Sequence, residues 1–195
     1  MSATLTYYNN HAAQFVDSTV SVDFAATQDR FLSKLNSDAY ILDFGCGSGR
    51  DTKYFLEKGY RVDAVDGSEE ICRIASAYTG ITVRQMLFEE LDDTDKYDGI
   101  WACASILHLN KATLEDVLKK MAKALKTDGA IYTSFKYGDY EGERKERHFT
   151  DFTLETFREF IKNVPELGIE EFWITCDARP GRGDEKWLNL ILMAR

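Results

Sequence analysis

"ILDFGCGSGRD", residues 41–51, joins a short apolar run to three glycines at alternate positions, Gly45, Gly47 and Gly49. A short apolar run bounded by glycine is typical of a buried strand, and the segment RDTKYFLEKG that follows has the composition of a helix ending at a glycine. Glycines at a strand-to-helix turn allow positive φ and let a ligand approach the bare backbone. The stretch therefore predicts a ligand-binding turn at the carboxyl end of the first strand of an α/β sheet.

Apolar, β-rich runs alternate with segments of helical period along the rest of the chain. The predicted strands are 39–44, 61–66, 81–86, 98–103, 129–135, 170–177 and 187–194. Segments 50–59 and 110–129 predict helices between them. This alternation is typical of a mostly parallel sheet with helices on both faces. We predict one domain over residues 1–195, with a helical lead-in or lid at 1–35 and a doubly wound, seven-stranded α/β core at 36–195.

Composition restricts the classes of protein that fit the chain. The formal net charge is −9 and no block of consecutive lysines and arginines is present, so nucleic acid is not an expected partner. The four cysteines form no C-x-x-C pair, which predicts neither a metal site nor a disulfide framework. Neither a signal-peptide pattern nor an apolar run of membrane-spanning length is present. We expect a cytoplasmic protein without a membrane partner, and the sequence leaves the oligomeric state open.

An acidic residue on each side of the glycine turn narrows the class of ligand. Asp66 ends the second predicted strand, where a carboxylate can accept hydrogen bonds from both hydroxyls of a ribose. Asp43 precedes the glycines and disfavours a phosphate, whereas it suits a cationic amine or sulfonium. The glycines also depart from the G-x-G-x-x-G fingerprint of dinucleotide sites. The residues favour a cationic nucleoside cofactor, and an NAD-dependent oxidoreductase stays as a less favoured alternative.

Four segments together resemble the class I S-adenosylmethionine-dependent methyltransferases. They are ILDFGCGSGRD, AVDGS at 64–68, YDGIWACASILHL at 97–109 and ALKTDGAIYTSFK at 124–136. More narrowly, GCGSGRDTKYFLEKGYRVDAVDGS with SFKYG is similar to small bacterial tellurite-resistance-like methyltransferases. The resemblance implies a Rossmann-like fold, methyltransferase activity, S-adenosylmethionine as cofactor and S-adenosylhomocysteine as product.

The resemblance also implies positions for the cofactor. It places Gly45, Cys46 and Gly47 against the methionine moiety, Asp43 at its ammonium group and Asp66 at the ribose. The other implied cofactor contacts are Tyr8, Gly49, Gly67, Ser68, Met86, Leu87, Phe88, Ala102, Cys103 and Ser105. Tyr8 or its neighbour Tyr7 is expected to close over the cofactor from the first helix. The alternative is that both tyrosines form only the apolar face of that helix.

The predicted catalytic residue is His108, and it has a structural alternative. Hydroxyl or protonated-amine acceptors need a general base, for which histidine has a suitable pKa, whereas an ionised oxyanion or thiolate needs none. His108 is otherwise a structurally bonded residue at the start of a helix. The candidate acceptor-binding residues are Lys136, Tyr137, Arg144, Arg147 and His148 of the segment 135–152, and Arg179 and Arg182 of the turn 177–187.

The segment 135–152 is interpreted as a loop over the methyl donor that contacts an anionic acceptor. Residues 136–148 contain four basic and four acidic side chains, so a self-neutralised surface loop is the competing interpretation. We predict methyl transfer to a small, polar or anionic acceptor. A non-catalytic module that binds the cofactor or supports a partner is the alternative, because fold and cofactor loop alone do not establish turnover.

Overall fold

The computed structural model describes residues 3–179 and 181–195, and helices and strands alternate through most of them. The helices are α1 (Ala3–Asn10), α2 (Ala12–Thr19), α3 (Ala25–Leu32), α4 (Arg50–Glu57), α5 (Glu69–Thr79), α6 (Lys111–Ala124) and α7 (Leu154–Phe160). The strands are β1 (Tyr40–Phe44), β2 (Arg61–Asp66), β3 (Val83–Gln85), β4 (Tyr97–Ala102), β5 (Leu125–Lys136), β6 (Glu141–Arg144), β7 (Arg147–Thr150), β8 (Leu167–Cys176) and β9 (Lys186–Ala194). Short 3₁₀ turns lie at Phe88–Glu90, Ile106–His108 and Ile161–Asn163.

Seven strands form one sheet in the order β3-β2-β1-β4-β5-β9-β8. The pairs among β1 to β5 are parallel, and β9 runs antiparallel to both β5 and β8. The chain order reverses between β1 and β4, and such a switch point leaves a crevice beyond the carboxyl ends of these strands. The predicted fold class is confirmed, including the helices before the first strand.

The buried faces of the central strands fix this arrangement. Trp101 on β4 is fully buried against Tyr132 on β5, with ring centroids 4.0 Å apart, and it contacts Phe31 and Phe55 at 5.2 and 5.3 Å. Buried aromatic pairs add about 0.5–1.5 kcal/mol each beyond the burial of their area. These helix-to-sheet contacts hold α3 and α4 on one face, so the turn that precedes α4 has a fixed position.

The segment predicted as a loop is instead a β-hairpin. Strands β6 and β7 pair antiparallel, outside the main sheet, and a two-residue turn joins them. Lys145 and Glu146 in that turn have φ values of 49° and 63°, as a type I′ turn requires at both positions. The loop interpretation was wrong because the turn lacks the asparagine or glycine that marks such hairpins in a sequence. The hairpin packs on α1 and on the turn Ile106–His108.

No helix within the described residues is both long and apolar enough to cross a lipid bilayer.

Candidate functional site

The glycine turn after β1 is shaped by close neighbours. Gly45 has φ +86°, and a Cβ there would lie 2.5 Å from Cβ of Ser105, which follows β4. Gly47 has φ +53°, and its Cβ would lie 3.1 Å from the ring of Phe15 on α2. Positive φ and the absence of a side chain are therefore both needed at Gly45. The backbone of the turn is left bare toward the crevice at the switch point.

Asp66 at the end of β2 connects that strand to the glycine turn. Its Oδ2 accepts a hydrogen bond from the backbone N–H of Gly47 at 3.1 Å, and its Oδ1 accepts one from Ser68 N–H at 2.9 Å. Burial raises the pKa of Asp66, and these two N–H groups act in the opposite direction. The Asp66 side chain is held at the edge of the crevice, and each of its carboxylate oxygens can accept a further hydrogen bond.

The crevice is a cavity of about 1010 Å³. Single small-molecule sites occupy about 300–1,000 Å³, so this cavity has room for a nucleoside cofactor and a second small molecule. Its wall contains the predicted cofactor residues Tyr8, Gly45, Cys46, Gly47, Asp66, Gly67, Met86, Leu87, Phe88, Cys103 and Ser105. It also contains the predicted catalytic and acceptor residues His108, Lys136, Arg144, Arg147, His148, Arg179 and Arg182.

Five predicted site residues lie outside the cavity wall, namely Asp43, Gly49, Ser68, Ala102 and Tyr137. Asp43 is buried beneath the turn and accepts a hydrogen bond from Thr52 Oγ1 at 2.5 Å. Its burial and the nearby charge of Asp51 raise its pKa.

The other four residues serve the fold or the surface at these positions. Gly49 begins α4 and faces Thr79 of α5, where a Cβ would approach Cγ2 to 2.7 Å. Ser68 caps α5 by accepting from Ile71 N–H. Ala102 is fully buried, and Tyr137 projects outward, with an exposed fraction of 38%. The direction of each of these side chains depends on contacts that are distant in sequence.

A buried ionic network that the sequence analysis missed lies beside the turn. Arg50 donates from Nε and Nη2 to the two carboxylate oxygens of Asp51, at 2.8 and 2.9 Å. Asp51 also accepts from Gln28 Nε2 at 2.6 Å and from Trp101 Nε1 at 2.8 Å. Arg50 lies on the cavity wall with its guanidinium 4.6 Å from the ring of Phe24. The only signal in the sequence was an Arg-Asp pair directly after the third glycine.

His108 has a defined tautomer. Its Nδ1 lies 2.7 Å from the carbonyl oxygen of His148 and therefore carries the proton, because a carbonyl can only accept. Its Nε2 then accepts from the hydroxyl of Tyr8 at 2.9 Å. Burial lowers the pKa of His108 to about 4, so the ring is neutral at pH 7. The Nε2 lone pair of His108 is directed at the Tyr8 hydroxyl. Tyr8 therefore lies between His108 and a methyl acceptor that approaches this hydroxyl from the cavity.

Helices α1 and α2 cover the cofactor end of the cavity. Leu5 lies over Gly67, where a Cβ would be 2.7 Å from Leu5 Cδ2. Thr4 Oγ1 accepts from His148 N–H at 3.1 Å, which connects α1 to the hairpin. Together with Phe15 over Gly47 and Tyr8 against His108, these contacts place the N-terminal helices across the predicted site.

Most basic residues of the wall are neutralised by carboxylates. Arg179 donates to both oxygens of Asp177, at 2.9 and 2.5 Å, and Arg144 donates to both oxygens of Asp151, at 3.2 and 2.5 Å. The remaining pairs are Lys136 with Glu185 and, at 3.8 Å, Arg182 with Glu185. Sequence analysis also missed the contribution of β9, which adds Trp187 and Asn189 to this wall.

The residues on this part of the cavity wall fit a nucleoside cofactor. The bare backbone of Gly45 and Gly47 forms a cradle on the cavity wall, and Asp66 offers a carboxylate beside it. Met86, Leu87 and Phe88 supply an apolar wall next to that carboxylate. Within the described ranges, no group of three or more His, Cys, Asp or Glu side chains is arranged to hold a metal ion.

Comparison with known proteins agrees with this site. Residues 41–129 match the family described as Methyltransferase domain. The chain is 26% identical over 160 residues to the phosphoethanolamine N-methyltransferase of Plasmodium falciparum, covering 72% of this chain and 60% of that protein. It is 33% identical over 107 residues to the N-terminal Xaa-Pro-Lys N-methyltransferase 1 of Xenopus tropicalis, covering 51% of this chain and 48% of that protein. The chain therefore spans about half to three-fifths of the length of these two relatives.

A solved structure extends the comparison to nearly the whole chain. The 1,6-didemethyltoxoflavin-N1-methyltransferase of Burkholderia thailandensis, with bound 1,6-didemethyltoxoflavin and S-adenosylhomocysteine, superimposes with a TM-score of 0.77. The two share 24% sequence identity, and the match covers 97% of this chain and 84% of that one. The domain match and the two named relatives are to methyltransferases, and the Burkholderia structure has the same fold as this chain.

Proposed function

We propose that this protein transfers a methyl group from S-adenosylmethionine to a small, polar or anionic acceptor. The observation that carries the proposal is one cavity with two chemically different ends. The glycine turn and Asp66 form one end, whereas His108 and the basic residues of β5, the hairpin and the turn before β9 form the other. When bound, the cofactor supplies an electrophilic methyl group on a sulfonium centre. The methyl acceptor is proposed to bind at the second end.

The residues at the cofactor end bind and orient. Asp66 is proposed to accept hydrogen bonds from the ribose, and the bare backbone of Gly45 and Gly47 to lie against the methionine moiety. Helices α1 and α2 exclude water from this end through Leu5 and Phe15. Holding two reactants in line is worth effective molarities of about 10⁵ M or more, so orientation alone supplies much of the required acceleration.

Tyr8 and His108 together form only a weak general base at the acceptor end. An acceptor that carries a proton would pass it to the Tyr8 hydroxyl oxygen while Tyr8 passes its own proton to Nε2 of His108. A histidine whose pKa is about 4 is a poor base near neutral pH. The site therefore suits acceptors that are already ionised or that lose a proton readily. This argument favours an anionic nucleophile over an alcohol or an alkylammonium group.

A small molecule is favoured over a macromolecular acceptor. The Plasmodium and Burkholderia relatives are named for small molecules, whereas the Xenopus relative is named for a protein N-terminus. Helix α1 packs on both α5 and the hairpin, and a helix across the site favours a compact acceptor over an extended peptide. The narrower resemblance to tellurite-resistance-like enzymes adds metalloid oxyanions to the acceptors worth testing.

Turnover with a defined acceptor panel tests the proposal. Purified protein and S-adenosylmethionine are incubated with tellurite, selenite, an aryl carboxylate carrying a phenol, a phosphorylated amine and a peptide beginning Xaa-Pro-Lys. We expect release of S-adenosylhomocysteine with at least one small anionic compound and none with the peptide. Turnover of the peptide alone would contradict the proposed acceptor class. Cofactor binding without turnover of any member would favour the non-catalytic module.

A further inference from the structure

Arg147 at the start of β7 differs from the other basic residues of the cavity. Its Nε is buried and has no hydrogen-bond partner among the described residues. The one hydrogen bond recorded for its side chain is a long contact of 3.5 Å from Nη1 to the Tyr8 hydroxyl. The guanidinium lies 4.3 Å from the ring centroid of Tyr7 and 5.3 Å from that of Phe149. Arg147 is thus held between aromatic rings on the cavity wall, with donors unused.

An unpaired cation in this place needs an explanation. Burying a charge without a counter-ion is costly, and cation–π contacts offset only part of that cost. In the described part of the chain no carboxylate forms an ion pair with Arg147, although Arg144 on the same hairpin pairs with Asp151. Arg147 lacks a carboxylate partner among the described residues even though the protein has a net charge of −9. A bound anion would accept hydrogen bonds from Arg147 and balance its charge.

We infer that Arg147 binds an anionic group of the methyl acceptor, a carboxylate or another oxyanion, and thereby selects for acidic acceptors. This inference rests on the proposed function for the identity of the anion as the acceptor. A guanidinium can grip two oxygens of one group through Nε and one Nη or through both Nη groups, and the Arg147 side chain lies on the cavity wall. Tyr8 connects Arg147 to His108, so an anion bound there places the rest of the acceptor beside the Tyr8 hydroxyl.

The carboxylate of the cofactor is the competing anion. If Arg147 held that group, an added anion and the cofactor would exclude each other. If Arg147 serves the acceptor, the anion binds to the complex with S-adenosylhomocysteine. Inorganic phosphate is a probe that separates these cases, because its binding requires no knowledge of the natural acceptor.

The test follows the Arg147 Nε–H signal by NMR during titration of the S-adenosylhomocysteine complex with inorganic phosphate. The signal is assigned by its absence in Arg147→Lys. We expect a saturable shift in the wild type. Calorimetric titration of the same complexes with phosphate, which needs no arginine signal, should show binding weakened at least about 30-fold in Arg147→Met, the loss typical of removing one partner of a close charge pair. Arg147→Lys keeps the charge without the fork and should fall between the two.

Lys123→Met is the matched control, because it removes a positive charge from an exposed position of α6, away from the cavity wall. It should leave phosphate binding within about twofold of the wild type, as expected for a solvent-exposed charge. Equal phosphate binding in Arg147→Met and the wild type would overturn the inference. So would competition between phosphate and S-adenosylhomocysteine, or a loss in Lys123→Met as large as that in Arg147→Met.

Cofactor affinity, measured on the same samples, separates this inference from the proposed function. We expect Arg147→Met to bind S-adenosylmethionine within about threefold of the wild type, since the cofactor end is formed by other residues. A wild type that binds phosphate through Arg147 but not S-adenosylmethionine would overturn the proposed function and leave the anion site standing. A wild type that binds S-adenosylmethionine but shows no Arg147-dependent phosphate binding would overturn only the anion site.

Discussion

Gly45→Ala is expected to weaken S-adenosylmethionine binding at least about 100-fold, which corresponds to about 2.7 kcal/mol. The new Cβ would lie 2.5 Å from Cβ of Ser105 and 3.1 Å from the ring of Phe88. Ser105 has little freedom to withdraw, because its Oγ donates to the carbonyl oxygen of Phe44 at 2.7 Å. The glycine turn must therefore shift into the cradle proposed for the cofactor. Calorimetric titration of the variant measures the loss.

The same change is expected to lower the free energy of unfolding by about 2–6 kcal/mol. Overpacking a tight contact costs about 1–3 kcal/mol, and a non-glycine residue at positive φ costs about 1–3 kcal/mol. Denaturant unfolding of the variant tests this value. Native circular dichroism and a cooperative transition are required before the binding result is interpreted.

Gly59→Ala is the matched control for backbone strain. Gly59 has φ +91°, close to the +86° of Gly45, but a Cβ there meets nothing within 4 Å. We expect a loss of about 1 kcal/mol in the free energy of unfolding and no change in cofactor affinity. Equal loss of affinity in both variants would show that general strain, and not the close approach at Gly45, causes the effect.

Asp66→Ala is expected to weaken S-adenosylmethionine binding by about 1–3 kcal/mol, the range for hydrogen bonds to a charged acceptor. The carboxylate is held by Gly47 N–H and Ser68 N–H, so the variant removes both the proposed ribose acceptor and an attachment of the glycine turn. Titration with S-adenosylhomocysteine in parallel shows whether the loss depends on the sulfonium charge. A ribose contact predicts equal losses for the two compounds.

Asp63→Ala provides the comparison on the same strand. Asp63 lies three residues before Asp66 in β2 and accepts from the hydroxyl of Tyr97 at 2.8 Å, away from the cavity wall. Its removal changes the net charge by the same amount and should leave cofactor affinity within about twofold. Unchanged affinity in Asp66→Ala, or an equal loss in Asp63→Ala, would remove the ribose assignment.

The sequence predicted the sheet well because its signals are local. Each of the seven predicted strands corresponds to a strand of the observed sheet, and the glycine turn follows the first strand as predicted. Strand β5 begins at Leu125 instead of 129, because helix α6 ends at Ala124 and Asp128 adopts a positive φ of 62° within the extended segment. Such an irregularity has no signature in hydrophobic periodicity. The hairpin was missed for a similar reason, since the turn at Lys145 and Glu146 carries no glycine.

The sequence alone did not show which charged side chains pair with each other. Lys136 and Glu185 are far apart in the chain and pair across the cavity wall. The charge count of residues 136–148 indicated self-neutralisation, yet Arg144 pairs with Asp151 outside that segment and Arg147 with no carboxylate among the described residues. Composition gives the number of charges, whereas the direction of each side chain depends on the folded contacts.

The most direct measurement is calorimetric titration of the purified protein with S-adenosylmethionine, S-adenosylhomocysteine and NAD in parallel. The account predicts saturable binding of both sulfur compounds with dissociation constants of about 1–100 μM, equivalent to about 5–8 kcal/mol, and no saturable binding of NAD. Binding of NAD with none of the sulfur compounds would contradict the account and support the oxidoreductase alternative. Absence of binding by all three would also contradict it, because the cradle at Gly45 and Asp66 would then hold a different ligand.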